Sequence, residues 1–329
     1  MESLDKITLI CPTYHRRSFL GRLAYFYSDY PVRIIIADGT EGTPWEGAAN
    51  LSNNIQYLHR PGESVCDRIC QATKKVASPY AALLGDDEFQ LPSGLARSAA
   101  ILDANASVNT AIGSCVGFNI TKYGIVGGNV YEYRPKEFSH SLPSRIEEFF
   151  LHYSPTIAYA VWRSEQLATA MILAAAHPWG SGNLYEWIQA FCGVCHGNHI
   201  IHDQMQWLRS DENPPKQAQL ARSVEVSQWW EDPIFEQERQ QLVRLLGPYL
   251  KEFLNCSSKY AQVLISYAFS VTAFSEQHNK KLQFLGLKPT KNYNRKYTHY
   301  LVKLLKSSMP LPPSEDEIAR VIKSIRLAY

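Results

Sequence analysis

Tyr80-Ala81-Ala82-Leu83-Leu84-Gly85-Asp86-Asp87-Glu88 is a short apolar run that stops in three consecutive acids. Such a run, bounded by a turn, reads as a strand buried on both faces. Acids just past its carboxyl end stand where open α/β sheets bind ligands. The same arrangement occurs three more times toward the N-terminus. Residues 7–11 lead into Pro12-Thr13-Tyr14, residues 32–37 into Asp38-Gly39-Thr40, and residues 55–59 into Arg60-Pro61-Gly62. Helical spacing lies between these runs: Phe19, Leu20, Leu23 and Phe26 within 16–28, and Val65, Ile69, Ala72 and Val76 within 63–76. A further helix is expected over 93–104, with Ser93 as its N-cap after Pro92. This alternation predicts an α/β fold with a Rossmann-like, mostly parallel sheet and helices on both faces. It also sets four polar turns along one rim.

The pattern past residue 105 is mixed. Strands are expected over 110–120, 128–133, 156–162 and 198–201, and helices over 145–152, 165–176 and 184–195. Beyond residue 214 it becomes helical, over 233–254, 259–276, 297–306 and 315–327. The expected organisation is a domain over 1–212, with halves 1–105 and 106–212, followed by a helical C-terminal region over 213–329.

The 329 residues are 45% hydrophobic and 19% charged, a globular balance that can fill a core. A net charge of +2 gives no whole-chain field for nucleic acid, so no nucleic-acid partner is expected. No apolar run is long enough for a secretory or membrane-spanning segment, and seven irregularly spaced cysteines suit reduced thiols. The expectation is a cytoplasmic protein. Basic residues concentrate over 280–306, a stretch suited either to a solvated helical face or to a membrane surface or protein partner. The second use would set the chain at the inner face of a membrane.

The four turns together resemble family 2 of the glycosyltransferases, which have the GT-A fold. The resemblance rests on Pro12-Thr13-Tyr14-His15-Arg16 after the first strand and Ala37-Asp38-Gly39-Thr40 after the second. It rests also on the helix at 63–76, and on Gly85-Asp86-Asp87-Glu88 followed by Pro92 and Leu95. It covers roughly residues 5–100, weakens to about residue 210 and ends there. Two positions depart from the family pattern: Gly85 stands where the acidic cluster usually begins with Asp, and His15 stands for the usual Asn.

The resemblance implies a transferase that takes a sugar from a nucleotide diphosphate donor, UDP-sugars being favoured. The sugar passes with inversion to a glycan or lipid-linked acceptor, in glycan or surface polysaccharide assembly. It implies Mn²⁺ or Mg²⁺ as cofactor, since departure of the nucleotide builds charge that a divalent ion offsets. Asp87 is the implied metal ligand, with Glu88 assisting through a water and Asp86 facing the donor's ribose or sugar. Asp38 matches the position that accepts a hydrogen bond from the base. Pro12 and Tyr14 flank the base, with Thr13 in the same nucleotide-binding set. Arg60 and Arg68 are candidates for the diphosphate or the base side, with Asp67 in the same nucleotide-facing set. Counting back from Gly197 by the family spacing gives Glu186 as the general base, with His177 and Asp203 in reserve. Arg209 is a further candidate for the donor phosphate.

Cys192-Gly193-Val194-Cys195-His196 has haem-attachment spacing, and with His199 and His202 could form a zinc group. The lack of an export signal opposes haem, and the alternation of His199 to His202 suits a strand better than a metal loop. Two other functions stay open: a non-catalytic nucleotide-sugar binding or scaffolding protein, which Gly85 favours, and a nucleotidyltransferase, which the missing Gly-rich loop after the first strand opposes.

Overall fold

A computed structural model describes residues 3–129, 136–138, 141–212, 224–284, 299–307 and 311–327. At one end of its sheet four parallel strands lie in the order β3-β2-β1-β4, comprising β1 (Ile7–Thr13), β2 (Arg33–Asp38), β3 (Ile55–His59) and β4 (Tyr80–Leu83). Side chains alternate across the sheet. Ile7, Leu9, Cys11, Ile34 and Ile36 enter one core layer, while Ile10, Ile35, Ala37, Ala81 and Leu83 enter the other. Both faces are covered, which is why these strands read as unbroken apolar runs. Each fully buried Ile or Leu contributes about 1.5–3 kcal/mol.

The links between these strands carry α1 (Leu20–Tyr27) and α2 (Val65–Thr73). Past β4 come β5 (Phe89–Gln90) and α3 (Pro92–Ala104). Ser93 lies inside α3 rather than capping it. The flanking residue is Leu91, and the Ser93 N–H is accepted by Glu317 at 2.7 Å, so a carboxylate from the far end of the chain serves that helix start.

The sheet then turns mixed. β6 (Val108–Thr121) runs antiparallel to β7 (Gly124–Asn129) and to β9 (Val161–Arg163), and β9 joins this half to β4. Residues 156–160, expected to be extended, are mainly turn, and the strand is confined to Val161–Arg163. β8 (Lys136–Glu137), α4 (Leu142–Leu151), α5 (Ser164–Ala175) and α6 (Leu184–His196) follow the same half. β10 spans Asn198–Ser210, far beyond the expected 198–201, and pairs parallel to β6 with register shifts around Ile201, Met205 and Trp207. Those irregularities break the two-residue alternation that would mark so long a strand.

The helical C-terminal region is present and serves both faces of the sheet. α7 (Val226–Glu231), α8 (Glu236–Leu254) and α9 (Ser258–Phe284) pack with α4 and α6 in one layer. α10 (Leu301–Ser307) and α11 (Glu315–Arg326) join the other. Within the expected helix at 297–306, His299–Tyr300 form β11, which extends the sheet antiparallel to β7. Arg320 of α11 donates to the carbonyls of Tyr25 and Phe26 at the end of α1, both at 2.6 Å. Among the described residues, no helix is long and apolar enough to cross a membrane.

Candidate functional site

The chain steps from β1 outward to β2 and β3, then returns to the other side of β1 to lay down β4. The reversal opens a crevice at the carboxyl ends of β1 and β4, the place where such sheets bind ligands. Thr13 closes β1 and donates its hydroxyl to Asp86 Oδ2 at 2.7 Å, joining the two strand ends. Arg16, from the loop after β1, reaches across to both acids, with Nη1 3.1 Å from Asp86 Oδ1 and Nη2 on Asp87 Oδ2. Beneath them, buried Arg22 of α1 donates to the Asp87 carbonyl and to Glu212, the latter at 2.8 Å, while lying 4.8 Å from the Phe19 ring centroid. Main chain and side chains of the acidic turn are therefore both held by arginine.

Burial dominates the chemistry of these acids. It pushes Asp86 up to about 6 against the pull of Arg16, and raises Asp87 against Arg16 and Arg22. Glu88 is pushed up to about 8 by burial, then by the charge of Asp87. The Glu88 side chain turns back toward Gly85 and accepts from Trp207 Nε1 of β10 at 2.8 Å. Trp207 in turn stacks on Tyr159, with centroids 4.2 Å apart.

Asp38 ends β2 fully buried. Oδ1 accepts from the Thr40 N–H at 2.8 Å, and Oδ2 accepts from Tyr57 at 2.6 Å and Arg17 Nε at 2.8 Å. Burial alone would raise this carboxyl, but those hydrogen bonds outweigh it and hold it below the usual range. Its oxygens are thus engaged in fixing the β2 turn. The neighbouring loop is fixed as well. His15 takes φ 54, a left-handed conformation rare for residues other than glycine, and its N–H donates to the Thr40 hydroxyl at 2.9 Å. Tyr14 hydroxyl and His15 Nε2 both meet Glu41 at 2.9 Å.

Arg68 of α2 ties the ends of β1 and β2, donating to the carbonyls of Thr13 and Ala37, the latter at 2.9 Å. A β-carbon at residue 39 would stand 2.7 Å from its guanidinium, so Gly39 is what admits it. Its charge lies 6.0 Å from the Tyr14 ring centroid. Pro12 sits in β1 beside Ala37. Arg60 is placed at the rim through its N–H, which donates to the Asp38 carbonyl at 2.7 Å, while its side chain pairs with Glu63 at 3.3 Å. Asp67 stays outside this cluster: exposed in the first turn of α2, it accepts from the capping Ser64 hydroxyl at 2.6 Å.

Glu186 lies in the first turn of α6 and accepts from Tyr185 at 3.2 Å. Burial raises its pKa, opposed by that hydrogen bond and by the charge of Arg209. Arg209 Nε is also 3.9 Å from Glu88 Oε1, so one arginine links the Glu186 neighbourhood to the acidic turn. The reserves lie elsewhere: the His177 ring packs on Trp179, and Asp203 sits in the irregular stretch of β10, its carbonyl facing Ser114. Cys192 and Cys195 are buried thiols raised by burial, and the His196 ring packs against Tyr249 and Phe253. His199 bonds Thr110 and His202 bonds Ser98, both as buried side chains, so this group serves the core in separate places. The basic stretch 280–306 lies largely outside the described residues.

Whether Asp86, Asp87 and Glu88 suit Mn²⁺ or Mg²⁺ turns on their partners. Two acids share the Arg16 guanidinium, Asp86 also accepts from Thr13, and Glu88 is directed to Trp207. Among the described residues no three acidic, histidine or cysteine side chains converge as a metal group. This arrangement fits a guanidinium and does not fit a divalent ion.

The sequence marks Arg16 only as part of a motif and assigns no site role to Arg17, Tyr57, Trp207 or Tyr159. The pair Arg16-Arg17 immediately after a strand-end turn was the available signal. Nothing local in sequence marks Trp207 as the partner of Glu88, 119 positions away.

No family model and no curated protein matches the sequence. Solved structures of S. aureus TarS do match in outline. TarS 1–349 is 13% identical with a TM-score of 0.46, covering 86% of this chain and 93% of that one. The same protein in complex with UDP-GlcNAc is 14% identical with a TM-score of 0.45, covering 85% and 92%. Against a longer TarS chain the match is 13% identical with a TM-score of 0.44, covering 81% of this chain and 54% of that one.

Proposed function

We propose that this chain is a glycosyltransferase that moves a sugar from a nucleotide diphosphate-sugar, a UDP-sugar being favoured, to a hydroxyl of a glycan or lipid-linked acceptor. The observation that carries the reading is the joining of two strand ends at the switch point of the sheet: Thr13 bonds Asp86, and Arg16 spans Asp86 and Asp87. Arg68 ties β2 to the same end of β1, so polar turns from β1, β2 and β4 share one rim, and the exposed part of Arg16 supports a role for its charge in meeting a diphosphate leaving group.

In this reading Pro12 and Tyr14 flank the nucleotide base. Asp38 shapes the turn beside it through Thr40, Tyr57 and Arg17. Arg16 offsets the negative charge that builds on the diphosphate as the sugar leaves. Glu186 takes the proton from the acceptor hydroxyl, and its burial raises its proton affinity toward the working range of a general base. A single base acting on an incoming hydroxyl corresponds to direct displacement, and so to inversion.

Calorimetry with a panel of UDP-sugars, followed by an assay for released UDP, tests the proposal. Binding with slow release of UDP, accelerated by an acceptor glycan, supports it. Binding without turnover under any acceptor would leave a nucleotide-sugar binding protein, and absence of binding across the panel would remove the donor assignment.

A further inference from the structure

We infer that Arg16 holds the seat of a divalent cation at the acidic turn, so that this site excludes Mn²⁺ and Mg²⁺ and meets a nucleotide diphosphate with a guanidinium instead. The exclusion stands on the geometry of the turn. The second half rests on the proposed donor.

Asp86 and Asp87 are adjacent carboxylates whose side chains are only 3% and 9% exposed. Two buried carboxylates side by side stay charged only beside a cation, because an unpaired buried charge is costly. Arg16 supplies it, with one nitrogen to each acid, and a planar fork suits that bridging role where a lysine would not. The Arg16 side chain is itself 28% exposed. The charge a ligand meets at this turn is therefore the arginine's, since the carboxylates lie behind it.

Arg16 is also held in place. The preceding His15 is locked in its left-handed conformation by Thr40 and Glu41, and the guanidinium lies 5.5 Å from the Phe19 ring centroid. The remaining acid is no substitute ligand, because Glu88 is directed to Trp207 and its carboxylate fills the space above Gly85. A divalent ion would have to expel Arg16 from its two ion pairs and then find its ligands among groups already committed.

The test is a titration of Mn²⁺ into the full chain, followed by the electron paramagnetic resonance of free Mn²⁺, on the wild type, Arg16→Gln, Arg16→Lys and Asp87→Asn. The wild type is expected to take up no Mn²⁺ at this turn. Arg16→Gln is expected to gain a site that the added substitution Asp87→Asn removes, and Arg16→Lys to fall between, because one ammonium cannot bridge both acids in the same geometry. Wild-type uptake of Mn²⁺ that is lost in Asp87→Asn would overturn the inference, and that comparison stands even if the Arg16 variants fail to fold. UDP affinity measured in EDTA and in Mn²⁺ examines the second half. Equal affinities support it, and a wild-type affinity about tenfold weaker in EDTA overturns it. If UDP fails to bind under either condition, the donor proposal falls, while the Mn²⁺ titration still decides what occupies the turn.

Discussion

Glu88 folds back over Gly85, its Oε2 lying 2.8 Å from where a β-carbon at residue 85 would stand. The absence of an acid at position 85 and the inward turn of the acid at 88 are thus two sides of one packing arrangement. Trp207 holds the displaced carboxylate in place. An aspartate at 85 would compete with Glu88 for the same space.

Gly85→Asp should therefore destabilise the fold by about 1–3 kcal/mol through overpacking. Glu88→Ala in the same chain should relieve part of that loss. Chemical denaturation of both single variants and the double variant gives the coupling. Additive effects would mean that the two positions do not contend for one space.

Thr13→Val keeps the shape of the side chain and removes the hydroxyl that joins β1 to β4. It leaves the buried Asp86 Oδ2 without its 2.7 Å donor, at an expected cost of about 1–3 kcal/mol. Equilibrium unfolding in urea measures this. A change no larger than that of an exposed threonine would show that the link between strand ends is not a stabilising one.

Glu88 gives stability a definite pH dependence. Its carboxyl is pushed up to about 8 from an ordinary 4.5, so between those values the folded state binds more protons than the unfolded one. Its contribution then declines as pH rises through that window. His199 and His202, lowered to about 3 and about 4 by burial, act in the opposite sense and lose stability as pH falls below their ordinary 6.5. Comparison of wild type with Glu88→Gln separates the two effects. The unfolding free energy of the wild type minus that of the variant should fall from about pH 5 to about pH 8. Parallel curves would show that Glu88 does not carry the shift.

Glu186→Gln should lower the transfer rate by about 10²–10⁴-fold while leaving donor affinity unchanged, since a general base acts on the acceptor and not on the nucleotide. Single-turnover transfer and donor calorimetry on the same preparation test this. Retained transfer would move the base to another residue.

The first hundred residues are legible because each strand there is a short apolar run closed by its own polar turn, and the turns fall on one rim by topology alone. Tyr80 to Glu88 shows the pattern in full. The second half is harder to read. β10 carries register shifts that hide its length, and residues 156–160 have strand-like composition while forming a turn. Within the site, the acids and Thr13 were visible as strand-end residues. The role of Arg16 was not, because an arginine after a turn has no periodicity to show whether it faces solvent or bridges two buried acids. The contacts of Glu88 with Trp207 and Arg209 join segments more than a hundred residues apart, and only the folded sheet brings them together.

Hydrogen–deuterium exchange with and without a saturating UDP-sugar tests most directly whether the strand-end turns form one donor site. Binding should slow exchange together at residues 13–17, 38–41 and 85–88, and leave α8 and α9 unchanged. Protection confined to the C-terminal helices, or none at the three turns despite measurable binding, would contradict the account.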